Sequence, residues 1–310
     1  MSVIPFSLCF FKKIAHVNKL CLDLQKDQAL VRSKVGACHF RQNTNFYQPM
    51  MKYTYQEIAG MIDHALLHPT LNDDELLKGC ELCDQFQVAT VCVKPYHVSY
   101  ASEILKNSQV LVSCVVGFPH GSVSSESKRY ETELACLHGA REIDMVANIG
   151  KAMSGDWEFV EDDIKVVVQE ASKHQSLVKV IFETDYLTEG GAGLSRKDLI
   201  KKLCEVSKKA GANWVKTSTG FGFVKQAQGG FSCVGAQLED VQVMLEASSG
   251  TIEVKASGGV RDLDTLINFR DLGVTRCGTS STRSILNEYN RRLNGVNPVN
   301  ETQPTSNQEY

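Results

Sequence analysis

The chain reads as an α/β protein built as a single (β/α)8 barrel. Eight short β-branched runs between 61 and 280 alternate with helical patterns. That span suits a barrel of typically about 250 residues. The rival, an open doubly wound sheet, would carry a glycine-rich turn after its first strand, and "IDHALLHPT" has none.

The strands are expected at 61–66 (MIDHAL), 88–93 (VATVCV), 110–117 (VLVSCVVG) and 142–148 (EIDMVAN), then at 177–184 (LVKVIFET), 213–218 (NWVKTS), 252–257 (IEVKAS) and 274–280 (VTRCGTS). Between them, "NDDELLKGCELCDQF" opens with the Asn72…Glu75 spacing of a capping box and repeats apolar residues at helical period. "DWEFVEDDIKVVVQEASKH" follows the same rhythm. "RKDLIKKLCEVSKKAGA" closes on lysines and a glycine, as a helix C-terminus prefers.

Barrel strands alternate between the outer helix layer and the lumen. Placing Ile143, Met145 and Ala147 outside sends Glu142 and Asp144 inward. With Val178, Val180 and Phe182 outside, Lys179, Ile181 and Glu183 point in; Val215 outside puts Lys216 in. Ile252, Val254 and Ala256 outside put Glu253 and Lys255 in. Four consecutive strands therefore aim ionisable groups at one interior, where buried charge is costly unless paired. Glu142, Lys179 and Glu253 are read as a structural ion network. Lys216, Lys255 and Asp144 are read as reactive, because both lysines lie near the strand C-terminal ends, where barrel enzymes carry their sites.

A lone lysine is protonated at neutral pH and a poor nucleophile. A second ammonium nearby, together with desolvation, disfavours the charged form and frees an amine to attack a carbonyl. A neighbouring carboxylate can then relay protons. The loops "TSTG" (217–220), "SGGV" (257–260) and "GTSS" (278–281) follow the last three strands, where barrel phosphate sites commonly lie, and Gly258-Gly259 leads into a helix at "RDLDTLINF".

Composition narrows the rest. The 310 residues are 43% apolar and 22% charged with a net charge of −3, which argues against a nucleic-acid partner. No run of some 18 apolar residues exists, so no membrane span is expected. Eleven cysteines lack metal-ligand spacing; Cys80 and Cys83 read as buried thiols in a reducing compartment. His64 and His68 stand four apart, but Pro69 follows and no third ligand is evident, so no metal is expected. Residues 1–50 carry seven Lys or Arg against two Asp. They read either as a transit peptide, which would place the chain in mitochondria rather than the cytoplasm, or as an extension ahead of a later start at Met50 or Met51. Domain organisation is expected as this extension, a barrel over 51–293, and a mobile tail over 294–310.

On "GFPHG" (117–121), "EIDMVANIG" (142–150), "KVIFET" (179–184), "VKTSTGFG" (215–222), "VKASGGVR" (254–261) and "RCGTSS" (276–281), the chain resembles the 2-deoxyribose-5-phosphate aldolases over roughly 55–290. The resemblance implies a class I aldolase without metal or organic cofactor, acting on a phosphorylated sugar. Self-association into a homo-oligomer is left open. It assigns Lys216 as the imine-forming lysine, Lys255 as the second lysine and Asp144 as the proton relay. It places Asp63 and Thr219 near substrate hydroxyls, and Gly220, Gly258, Gly259, Ser280 and Ser281 at the phosphate rim. Cys92 matches a pocket cysteine. Thr282 stands where many members have glycine and is expected to narrow the phosphate loop; 188–195 lengthens the loop after the fifth strand. Tyr310 ends the chain as a tyrosine ends some members, though the tail before it does not match. Alternatives are an imine-forming aldolase for another sugar phosphate and a silent scaffold, whose signature would be a replaced lysine or aspartate.

Overall fold

A computed structural model describes residues 51–226 and 228–295. The expectations for 1–50, the tail beyond 295 and Tyr310 fall outside the described residues. Eight parallel strands close into a barrel: β1 (Ile62–Leu66), β2 (Thr90–Val93), β3 (Leu111–Val116), β4 (Glu142–Val146), β5 (Leu177–Ile181), β6 (Trp214–Lys216), β9 (Glu253–Ser257) and β10 (Arg276–Thr279), with β10 pairing back onto β1. Each is shorter than its β-branched run in the sequence. The extra residues precede the strand in β1, β2 and β9, follow it in β4 and β5, and lie at both ends in β3, β6 and β10.

Several helices begin at side-chain caps that the sequence supplies. In α2 (Asp73–Phe86), Glu75 N–H donates to Asn72 Oδ1 at 3.0 Å and Asn72 N–H to Glu75 Oε2 at 2.8 Å, so two otherwise unpaired donors are satisfied reciprocally. A second box, Thr54 with Glu57, starts the short α1 (Tyr55–Ala59), which sequence periodicity did not reveal. The layer continues through α3 (Val98–Ile104), α4 (Ser125–Leu137), α5 (Ile149–Met153), α6 (Trp157–Lys173), α7 (Arg196–Lys209), α8 (Leu238–Ser248), α9 (Leu263–Leu272) and α10 (Thr282–Leu293). None of the described helices is long and apolar enough to cross a membrane.

The apolar core lies between barrel and helices. Ile143, Met145, Val178, Val180, Val215, Val254 and Ala256 are all buried there, on the outward-facing positions of their strands. Each larger aliphatic side chain contributes about 1.5–3 kcal/mol relative to exposure. Seven of the eight described cysteines are buried, Cys80 and Cys83 among them, and all eight are free thiols; Cys233 is exposed. The loop after β6 contains an antiparallel hairpin, β7 (Val224–Lys225) and β8 (Phe231–Ser232).

One buried ion pair sits in the helix layer. Lys128 of α4 bonds Asp163 of α6 at 2.5 Å and donates to the Val146 carbonyl, at the end of β4, at 2.9 Å. Ser125 Oγ donates to the same carboxylate at 2.7 Å. Gly117, at φ +60°, lies against this lysine: a Cβ there would meet Lys128 Cε at 2.9 Å. The clamp thus ties β3's exit to the end of β4, the strand that carries Asp144. Lys128→Met should cost about 3–5 kcal/mol by urea denaturation, because Asp163 would be left buried without its cation. Lys128→Met with Asp163→Leu should recover most of that loss. A single-variant loss under about 1 kcal/mol would contradict this account of the pair.

Candidate active site

Strand register gathers the inward charges. Asp144 lies beside Lys179 across β4–β5, Lys216 beside Lys255 across β6–β9, and Lys255 beside Arg276 across β9–β10. Asp63 enters from β1 and Ser113 from β3. Asp144 is the hub. Its Oδ2 receives Lys216 at 2.8 Å and Lys255 at 2.6 Å, while its Oδ1 receives Lys179 at 2.8 Å and the Ser113 hydroxyl at 2.9 Å. Asp63 Oδ2 holds Lys255 at 2.5 Å and Lys179 at 3.1 Å, and Asp63 Oδ1 holds Arg276 at 2.5 Å. Glu142 pairs with Lys179 at 2.5 Å and Arg276 at 2.7 Å.

Glu142 and Lys179 therefore sit in an ion network as expected, but Glu253 does not. It stands at the first position of β9 and is exposed, because alternation says which face a residue takes and not where the barrel wall ends. Arg276, quoted in "RCGTSS" without a role, completes the network. With Cys277 buried in the outer core, the alternation of β10 turns Arg276 inward. Ser113 follows the same rule between Val112 and Cys114.

The network holds four basic groups (Lys179, Lys216, Lys255, Arg276) against three carboxylates (Asp63, Glu142, Asp144). One positive charge is surplus in a site where the three lysines and two aspartates are at most 2% exposed. Burial acts first on Lys216, lowering its pKa; Asp144 opposes this and Lys255 adds to it. Burial also works against charge on Lys255 and Lys179, yet their carboxylates win and hold both pKa values above the ordinary lysine value. Burial disfavours the charged forms of Asp144 and Asp63, but the surrounding cations outweigh it and keep both ionised. Lys216 has one carboxylate partner and is the group placed to surrender its proton. The second lysine matters, but desolvation is the larger influence.

Above the network opens a cavity of about 210 Å³. Lys216, Lys255 and Asp63 line its floor, and Ala65, Leu67 and Cys92 form an apolar wall. Thr219, Gly220, Gly258, Gly259 and Ser280 line it as well, with Gly278 and Arg261 beside them. Asp144 lies beneath, reached through the lysine it shares. Ser281 falls just outside this lining, its N–H donated to Thr279 Oγ1 at 2.9 Å. Cys92 is buried, and burial raises its thiol pKa.

The helix following Gly258-Gly259 is not an open anion site. Asp262 caps α9, accepting from Thr265 N–H at 2.8 Å and placing a carboxylate at that N-terminus. The N-terminus of α10, directly after Ser280-Ser281, has no side-chain cap. Thr282 does not narrow the rim: it is buried, and its hydroxyl bonds His64 Nδ1 at 2.9 Å. Burial pushes the His64 pKa down to about 4, so the imidazole is neutral. His68 lines the cavity, and among the described residues no cluster of metal-ligating side chains forms.

A further buried acid is placed inward from the sequence but given no role. Glu183 stands at φ +51°, where β5 exits, and accepts from Thr219 N–H at 3.2 Å and from the Thr219 hydroxyl. Burial raises its carboxyl to about 7. The Thr219 oxygen in turn accepts from Phe221 N–H at 2.9 Å, so this hydroxyl is held by its neighbours on two sides.

A closed parallel barrel with a desolvated lysine amine on the floor of its cavity suits carbonyl chemistry. The chain belongs to the DeoC/LacD family of aldolases, whose sequence model matches residues 59–286. It is 37% identical over 244 residues to a deoxyribose-phosphate aldolase of Rhodopirellula baltica, covering 79% of this chain and 94% of that one. It is 44% identical over 228 residues to one from Staphylococcus epidermidis, covering 74% and 94%. The solved aldolase QR15 superposes with a TM-score of 0.68 at 36% identity, covering 78% and 99%.

Because only the uncharged amine adds to a carbonyl, imine formation should have an acid limb set by Lys216. Trapping with an aldehyde and cyanoborohydride across pH should place that limb below the ordinary lysine pKa. Lys255→Met removes a cation and should move the limb to higher pH; Asp144→Asn removes the opposing anion and should move it to lower pH. Shifts in the same direction would contradict the electrostatic assignment.

Proposed function

We propose that this aldolase reversibly cleaves 2-deoxy-D-ribose 5-phosphate to D-glyceraldehyde 3-phosphate and acetaldehyde. The observation that carries the reading is the shared oxygen: Asp144 Oδ2 lies 2.8 Å from Lys216 and 2.6 Å from Lys255, below one cavity. The family membership and the relatives' shared activity support the choice of substrate.

In this reading the free Lys216 amine adds to the C1 aldehyde, and loss of water leaves an iminium. That cation is the electron sink. The C3 hydroxyl gives its proton to Asp144, assisted by Lys255 and a bridging water. The C2–C3 bond then breaks, its electron pair forming the C1–C2 double bond of an enamine while C3 becomes the aldehyde carbon of glyceraldehyde phosphate. Protonation of C2 restores the iminium, and water releases acetaldehyde and the amine. Lys255, held as an ammonium by Asp144 and Asp63, returns the proton.

Asp63 and Thr219 face the substrate hydroxyls. The N–H groups of Gly220, Gly258 and Gly259 and the hydroxyls of Ser280 and Ser281 hold the phosphate, so remote binding energy orients the reacting carbons. A coupled assay for glyceraldehyde 3-phosphate tests the reading. Lys216→Ala should lose roughly 10³-fold or more in kcat, and borohydride with acetaldehyde should leave a two-carbon adduct on the Lys216 peptide. Equal rates in variant and wild type, or an unmodified peptide, would remove the mechanism.

A further inference from the structure

The hairpin between β6 and α8 stands on the rim. Ala236 N–H donates to the Gly258 carbonyl at 3.0 Å. Gly235, at φ +79°, packs so closely that a Cβ there would lie 2.6 Å from both the carbonyl carbon and oxygen of Gly258. Those are backbone atoms and cannot rotate aside. Gly258 itself sits at φ +91° and its own Cβ would meet Gly235 Cα at 2.8 Å. Two glycine backbones are thus pressed together, one of them belonging to the cavity rim.

What seats the hairpin is Asp185, in the loop after β5. Its carboxylate accepts from Val234 N–H at 2.9 Å and from Gly235 N–H at 3.0 Å. The other arm of the hairpin converges on the same group: a Cβ on Gly222 would lie 3.1 Å from Asp185 Oδ2. The neighbouring Tyr186 hydroxyl accepts from Phe223 N–H at 2.6 Å. The platform beneath is fixed, since Thr184 N–H donates to the Thr217 carbonyl at 3.1 Å and Arg196 Nη1 donates to the Thr184 carbonyl at 2.7 Å. Asp185 lines neither the catalytic cavity nor the charge network.

We propose that Asp185 is a positioning residue for phosphate recognition: it seats the hairpin, and the hairpin holds Gly258 in the conformation that turns the rim toward the anion. This rests on the reading of the 257–259 loop as a phosphate site. Amine chemistry on the cavity floor does not pass through Asp185, so its loss separates recognition from catalysis.

The test compares the full-length chain with Asp185→Ala and Gly235→Ala on 2-deoxy-D-ribose 5-phosphate and on unphosphorylated 2-deoxy-D-ribose. Both variants should raise KM for the phosphorylated substrate roughly tenfold, as loss of a charged acceptor implies, with kcat within about twofold. For the unphosphorylated sugar kcat/KM should stay within about twofold of wild type. Asp185→Asn, which keeps one acceptor oxygen, should fall between, and inorganic phosphate should inhibit deoxyribose cleavage less well in all three variants. Equal losses on both sugars, or no change on either, would overturn the proposal while leaving the rim reading intact. A wild type that shows no preference for the phosphorylated sugar would overturn the rim reading and the proposal with it.

Discussion

One carboxylate shared by three lysines organises this protein. Asp144 bonds Lys179, Lys216 and Lys255 within 2.8 Å, among side chains at most 2% exposed. Such an arrangement survives only if the summed charge is nearly balanced, because an uncompensated ion in that interior is expensive. Three anions can hold three cations. Lys179 has three carboxylate partners, Lys255 has two and Lys216 has Asp144 alone. The fourth basic group must shed its proton or carry the strain. The lysine with the fewest partners is also the one at the C-terminal end of its strand, facing the cavity.

The barrel makes this asymmetry inevitable once the register is set. Closing eight parallel strands puts side chains from alternate strands into common layers. Lys179 lies deeper along the barrel than Lys216 because the β5–β6 register pairs Lys179 with Trp214 and Ile181 with Lys216. The deeper position meets Glu142 and Arg276, and the upper one meets the cavity. A shift of one residue in β6 would turn Lys216 into the apolar helix layer. Packing of Val215 and Trp214 therefore protects the chemistry as surely as any contact at the site.

Period-two alternation made the buried lysine–aspartate set legible, because on β4, β6 and β9 the outward residues are unambiguous aliphatics. The same reasoning applied to β10 reaches Arg276 once Cys277 is treated as an outward apolar residue. It fails at Glu253, which shares its face with Lys255 but lies at the open base of the barrel. Glu183 was placed inward with the rest of β5, yet nothing in the residues announces its left-handed backbone or its grip on Thr219. The hairpin had a local signal, "QAQGG" between "FVK" and "FSCV", the pattern of two short strands about a glycine turn. Its seat on Gly258 is a tertiary contact that no local pattern encodes. The sequence pointed an anion at the start of α9, where Asp262 already caps the helix with a carboxylate.

The central claim concerns the proton on one nitrogen, and it can be read directly. Site-resolved NMR of labelled lysine side chains, followed through a pH titration of the unliganded protein, reports each ammonium separately. Lys216 should titrate below the ordinary lysine value while Lys179 and Lys255 stay protonated throughout. Finding Lys216 protonated above that value, or Lys255 deprotonating first, would contradict the account.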